Sequence, residues 1–194
     1  MPVQYTNRKG QTYYLHQTVT RAGKTTYFFS RSDDGNLVDT MPPGYELYES
    51  PNGLVFLRKI RAKLITDDEV ALVEKELKRN RHLKSYRVDV KHEMIRVYTP
   101  TQELDGYSKL LSRIVGGEVD VEAILARHAT YTEEMRFILV DKEKRLFDLQ
   151  RRTYVSSLPE WFDVRWSELL PNLAPYVKHL DQESFFTLGP GAKP

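Results

Sequence analysis

Four clusters of turn-forming residues cut the first sixty residues into segments too short for anything but strands. They are Arg21-Ala22-Gly23-Lys24, Ser32-Asp33-Asp34-Gly35-Asn36, Met41-Pro42-Pro43-Gly44 and Ser50-Pro51-Asn52-Gly53. Gly, Asn and Asp accept turn dihedrals at little cost, and paired prolines remove amide donors that a central strand needs. Between them, Tyr13 to Thr20, Thr25 to Arg31, Tyr45 to Glu49 and Leu54 to Lys59 are rich in aromatic and β-branched residues. Asn52-Gly53 is a strong hairpin signal. The pattern predicts a four-stranded, largely antiparallel unit over residues 1–60.

The pattern changes near residue 62. Thr66-Asp67-Asp68-Glu69 reads as a capping box, in which hydroxyl and carboxylate each satisfy the other residue's amide. Val70, Val73 and Leu77 follow at helical spacing, with acids at the start and Lys78, Arg79 and Arg81 at the end, as the helix dipole favours. This predicts a helix over 66–80. Ser85 to Lys91 and Met94 to Thr99 read as a hairpin around His92-Glu93, and Met135 to Val140 with Arg145 to Arg151 as another. The turn Asp141 to Lys144 between the latter pair has no special dihedral signature. Leu104, Tyr107, Leu110, Leu111 and Ile114 form a helical stripe stopped by Gly116-Gly117, and a shorter helix is expected over Val121 to His128. Trp161 to Leu180 is apolar and aromatic, but Pro171 and Pro175 make any helix there start late or kink. Residues 54–115 follow the opening order of a split βαβ unit.

The expected fold class is therefore α+β. An N-terminal antiparallel β-sheet unit, residues 1–60, packs as one body on a C-terminal α/β part, residues 61–188. The latter carries two further hairpins and three to four helices, and residues 189–194 form a disordered tail.

Cysteine is absent, which excludes disulfides, thiol catalysis and thiolate metal sites. The five histidines show no metal-ligand spacing, and no Gly-rich phosphate cradle or nucleophile elbow is present. No cofactor and no metal are expected, and the reading leans away from an enzyme. The N-terminal MPVQYTNRKG lacks the apolar core of a signal peptide, and no stretch approaches the length of a membrane span. A cytoplasmic protein without a membrane partner is the expectation.

Charge is unevenly placed. Residues 1–96 carry 17 Lys and Arg against 12 Asp and Glu, while residues 97–194 carry 12 against 15, so any polyanion footprint belongs to the first half. The first thirty-two residues hold Arg8, Lys9, Arg21, Lys24 and Arg31, no acid, and the rings of Tyr5, Tyr13, Tyr14, Tyr27, Phe28 and Phe29. A second basic run, Lys78 to Arg87, has five cations and no carboxylate. Cations can track phosphates and rings can stack on bases. Arg8, Lys9, Arg21, Lys24, Tyr27, Arg31, Arg79, Arg81 and Lys84 are thus candidate nucleic-acid contacts of a non-catalytic binding protein. The bland alternative is that the rings pack a sheet and the cations are solvated.

Two other readings remain open. The aromatic set Trp161, Phe162, Trp166, Phe185 and Phe186 would suit a protein–protein adaptor. Asp89-Val90-Lys91, with Asp67, Asp68 or Glu93, would suit a Mg²⁺-dependent nuclease, because residues two apart on a strand share a face.

Tyr5-Thr6-Asn7-Arg8-Lys9-Gly10, Gly44-Tyr45-Glu46, Pro51 to Lys59, and His179-Leu180 with Ser184-Phe185-Phe186 resemble blocks of an uncharacterised bacterial protein family. The resemblance would span most of the chain. It implies a bacterial, full-length, stand-alone protein and brings no activity, substrate or site residue.

Overall fold

A computed structural model describes residues 1–101, 124, 127–155 and 158–194. The chain divides into two units, Met1–Ala62 and Lys63–Pro194.

In the first unit the turn clusters do what their residues allow. Strands β1 (Gln4–Thr6), β2 (Thr12–Val19) and β3 (Thr25–Ser30) form an antiparallel sheet in that order. Strands β4 (Tyr45–Glu49) and β5 (Val55–Lys59) form a separate hairpin. At the β2–β3 turn, Gly23 sits at φ 75°, and its amide donates to the Thr20 carbonyl at 2.9 Å. At the β4–β5 turn, Gly53 sits at φ 77°, in the left-handed region that glycine enters without a Cβ clash. The expected single four-stranded unit is thus five strands in two sheets, because Pro42-Pro43-Gly44 interrupts pairing between β3 and β4.

In the second unit, α1 (Asp67–Arg79) starts at the predicted capping box. The Glu69 amide donates to Thr66 Oγ1 at 3.3 Å, and the Thr66 amide donates to Glu69 Oε2 at 2.8 Å. Strands β6 (Arg87–Lys91), β7 (Met94–Pro100), β8 (Tyr131–Asp141), β9 (Leu146–Val155) and β10 (Leu158–Leu169) form a five-stranded antiparallel meander, ordered as in the chain. One face carries Ile95, Val97, Met135, Phe137, Leu139, Phe147 and Leu149. They share a core with Val73 and Leu77 of α1 and with Leu173, Tyr176, Val177 and Leu180 near the C-terminus.

Several expectations are overturned. Apart from the helical Ile124, Arg127 and His128, the helices among the described residues are α1 and the four-residue α2 (Leu170–Leu173), with 3₁₀ turns at Ala174–His179 and Glu183–Phe185, and strands dominate where three to four helices were expected. The expected helix at 104–114 lies outside the described residues. Of the one expected over 121–128, Ile124, Arg127 and His128 are described, and each is helical. The C-terminal part is antiparallel rather than α/β, because β10 occupies residues that read as an apolar segment without clear alternation. Its register shifts near Asp163, Arg165 and Glu168 scramble the period of two that a strand normally displays. The split βαβ reading fails too: β5 pairs with β4 and contributes nothing to the five-stranded sheet.

Arg145, just after the β8–β9 turn, adopts φ 53°, where no special dihedral was expected. The terminal segment 189–194 is the one expected as a disordered tail. The Ala192 carbonyl accepts from Tyr176 Oη at 2.7 Å and from Arg165 Nη2 at 2.8 Å. Among the described residues, no helix is long and apolar enough to cross a membrane.

Candidate functional site

The nine predicted contact residues fall in both units, six in the first and three in the second. Within the first unit, strand alternation splits the rings between two faces. Tyr27 and Phe29 lie opposite Gln17 and Leu15, whereas Phe28 lies opposite His16. Tyr27 is half-buried, its ring 6.5 Å from that of Tyr45. Phe28 is 45% exposed and stacks on the buried His16 at 5.3 Å, while His16 Nε2 meets the Ser32 carbonyl at 3.0 Å. The available stacking surface is therefore Phe28, one residue from the predicted Tyr27.

Arg8 and Lys9 belong to a clasp between two turns. Asn7 is buried; its Nδ2 donates to the Gly53 carbonyl at 2.6 Å, and its Oδ1 accepts from the amides of Lys9 and Gln11 at 3.0 and 2.8 Å. Arg8 donates to the Pro51 carbonyl and lies 3.7 Å from Glu49, which also accepts from Tyr5 Oη at 2.7 Å. That hydrogen bond, with burial and the nearby charge, pushes the Tyr5 hydroxyl above its ordinary pKa. Arg8 is thus committed to holding the unit together.

Ion pairs in this unit join Met1 to Asp39, Arg8 to Glu49 and Arg58 to Glu46. Lys9, Arg21, Lys24 and Arg31 have no carboxylate partner among the described residues. Arg21 and Lys24 are exposed at the β2–β3 tip, and Arg31 is exposed just past β3 at the other end. Eight residues of β2 at about 3.3 Å each put roughly 23 Å between the ends.

In the second unit Arg79 pairs with Glu76 at 2.6 Å, while Arg81 and Lys84 are exposed on the turn after α1. Asn80, between them, caps the helix and ties it to the C-terminal segment.

The nuclease set does not assemble. The Asp89 carboxylate is taken by Arg96, Asp67 pairs with Lys63 at 2.5 Å, and Asp68 is exposed. Among the described residues no three His, Cys, Asp or Glu side chains converge as a metal site would require. The adaptor aromatics disperse as well. Phe185 is core, Trp161 lies under Arg136, and Phe162, Trp166 and Phe186 are exposed.

A group that sequence reasoning missed lies on the sheet face opposite the core of the second unit. Asp89, Arg96, Arg136, Gln150 and Asp163 are register neighbours across all five strands. Arg96 holds Asp89 and approaches Glu133 at 3.4 Å; Arg136 Nε donates to Gln150 at 2.7 Å, and Gln150 donates to Asp163 at 2.6 Å. The adjoining positions hold Arg87 opposite Tyr98, Tyr98 opposite Glu133, and Arg152 opposite Trp161.

Each arginine lies over a ring. The guanidinium carbon is 5.4 Å from the Tyr131 centroid for Arg87, 5.5 Å from Tyr98 for Arg96, 3.8 Å from Trp161 for Arg136 and 5.2 Å from Tyr154 for Arg152.

The electrostatics follow from partial burial. Burial and the neighbouring Glu133 push the Tyr98 hydroxyl far above its ordinary pKa. Burial, helped by Arg96, lowers the Arg136 guanidinium against the opposing pull of Glu133 and Asp163. Glu134 falls where the β7–β8 register shifts, and burial raises its carboxyl to about 7 although Arg152 pulls the other way. The sequence signal for this face was its alternation, Arg87-x-Asp89-x-Lys91 and Asp148-x-Gln150-x-Arg152. Alternation marks a polar face but not which strands lie side by side. No family model, curated protein or solved structure matches the chain.

Proposed function

We propose that the protein is a non-catalytic binding protein that meets single-stranded nucleic acid, or a similar polyanion, through the β2–β3 hairpin of its first unit. The observation that carries the reading is the hairpin's exposed Phe28 face with cations at both ends that have no carboxylate partner among the described residues: Arg21 and Lys24 at the tip, Arg31 at the base. Phosphates need cations free of carboxylates, and bases need a ring open to solvent. Arg8 is left out of the contact set because Glu49 and Pro51 already engage it.

The test is fluorescence anisotropy with a labelled oligothymidylate. Log affinity should fall linearly with log salt, by about 0.7 per neutralised phosphate. R21E with K24E should weaken binding and flatten that slope with no loss of folding. F28A should cost about 1–3 kcal/mol of binding, whereas Y27A should act on stability through Tyr45. No binding by the wild-type protein at low salt defeats the reading.

A further inference from the structure

In the three-stranded sheet of the first unit β3 is an edge strand, hydrogen-bonded to β2 on one side only. Strand β2 shows which of its groups face that edge. The Leu15 amide donates to the Val3 carbonyl, the Leu15 carbonyl accepts from the Val38 amide, and the Gln17 amide donates to the Asn36 carbonyl, each at 2.9 Å. Odd-numbered residues of β2 thus turn away from β3, and the bonded pairs are Tyr14 with Ser30, His16 with Phe28 and Thr18 with Thr26. Backbone groups alternate in direction along a strand, so Thr25, Tyr27 and Phe29 aim their amides and carbonyls outward. Among the described residues no hydrogen bond reaches those outward groups. Thr25 is exposed and Tyr27 and Phe29 are half-buried.

Edge strands are ordinarily blunted by charge, proline, bulges or brevity. The other edges of this protein follow that rule. β1 has three residues, β6 carries Arg87, Asp89 and Lys91, and β10 carries Pro159 and two register shifts. β3 has none of these devices: Thr25–Ser30 is uncharged, free of proline and in unbroken register with β2. Such an edge is a template on which a further extended segment can add as a strand.

Charge selects the segment. Arg21 and Lys24 precede β3 and Arg31 follows it, none with a carboxylate partner among the described residues, and residues 1–32 hold no acid. A second copy paired antiparallel about Tyr27 would set Lys24 opposite Ser30 and one position from Arg31, at both ends. Like charges therefore oppose self-pairing, whereas carboxylates at those places would be attracted. We propose that the β3 edge binds an extended acidic peptide of a partner protein, with about five apolar or β-branched residues along Thr25 to Phe29 and carboxylates at either end. The edge is distinct from the Phe28 ring face, and the proposal does not depend on nucleic-acid binding.

The experiment is fluorescence anisotropy of the full chain with a labelled peptide, Glu-Glu-Val-Thr-Val-Thr-Val-Glu-Glu, against the same peptide with lysine at each glutamate. The glutamate peptide should bind saturably and at least about tenfold tighter. N-methylating all five central amides leaves the charges in place but blocks both hydrogen-bonding edges, and should cost about tenfold or more. Methylating alternate amides leaves one edge intact, so at least one of the two such peptides should bind within about threefold of the parent.

T25P removes an outward amide without removing a bond to β2. It should weaken the peptide several-fold and leave oligothymidylate binding unchanged, so failure of this proposal and failure of the nucleic-acid reading are separable. If circular dichroism shows T25P misfolded, K24E with R31E takes its place and should reverse the preference toward the lysine peptide. No saturable binding of the glutamate peptide, equal affinity for the lysine peptide, or full binding after complete methylation would each overturn the proposal. So would a dimer of the protein alone in sedimentation equilibrium that T25P dissolves, since the edge would then belong to a second copy.

Discussion

Replacing Asn80 should cost the second unit more stability than any exposed change nearby. Its Nδ2 donates to the carbonyls of Val177, Lys178 and Leu180 at 3.1, 3.3 and 3.1 Å, and its Oδ1 accepts from the His82 amide at 3.0 Å. The side chain therefore closes the end of α1 against the C-terminal segment that covers the sheet.

N80A removes both amide hydrogens and leaves the carbonyls of Val177 and Leu180 without that donor in a buried setting. A net hydrogen bond is worth about 1 kcal/mol, and a stranded buried acceptor costs about 1 kcal/mol or more, for a loss of about 3 kcal/mol. For a unit of this size each kcal/mol moves Tm by about 3–4 °C, so a fall of about 10 °C is expected.

Both tryptophans, Trp161 and Trp166, lie in β10, so tryptophan fluorescence during urea unfolding reports on this unit alone. N80D would set a carboxylate against three carbonyl oxygens and should be worse than N80A at pH 7. It should recover part of the loss as the pH falls through the ordinary aspartate range near about 4. A cost below about 1 kcal/mol for N80A, or an N80D protein as stable as N80A, would refute the reasoning.

Three further outcomes follow from the same geometry. In the first unit N7A should cost about 2 kcal/mol, followed by near-ultraviolet circular dichroism of the tyrosines, because Asn7 is buried and joins the two turns. Burial acts to raise the Glu69 carboxyl, but Arg145 and Thr66 prevail and hold it below the usual range. The stability it contributes is thus present above its unfolded-chain pKa and lost as pH falls through the lower folded one. E69Q should cost about 1–2 kcal/mol at pH 7 and weaken the acid dependence of unfolding. Glu134 has the opposite sign: its folded pKa of about 7 lies above the unfolded value, so stability falls as pH rises between the two. E134Q should flatten that window and be more stable than the wild-type protein at pH 8, measured by urea unfolding at each pH.

Local chemistry made the turns and one helix legible from the chain alone. Gly23, the Asn52-Gly53 pair and the Thr66–Glu69 box act within a few residues, so their hydrogen bonds could be written down before any packing was known. So could the His92-Glu93 hairpin and the β8–β9 hairpin, whose strands are neighbours in sequence. β10 was missed because its register shifts break the alternation that marks a strand, and because Pro171 and the leucines after it drew the segment toward a late helix.

The basic cluster could be read as composition but not as geometry. Only the fold spent Arg8 on Glu49, turned Tyr27 toward Tyr45 and left Phe28 open. The row from Asp89 to Asp163 spans five strands and more than seventy residues of chain, and no short-range signal carries such a register. Turn and cap energies are settled between near neighbours, whereas the pairing of distant strands is decided by which faces can be buried together. The sequence therefore determined where the chain bends and where α1 begins. The tertiary structure alone decided which charges meet and which are paired.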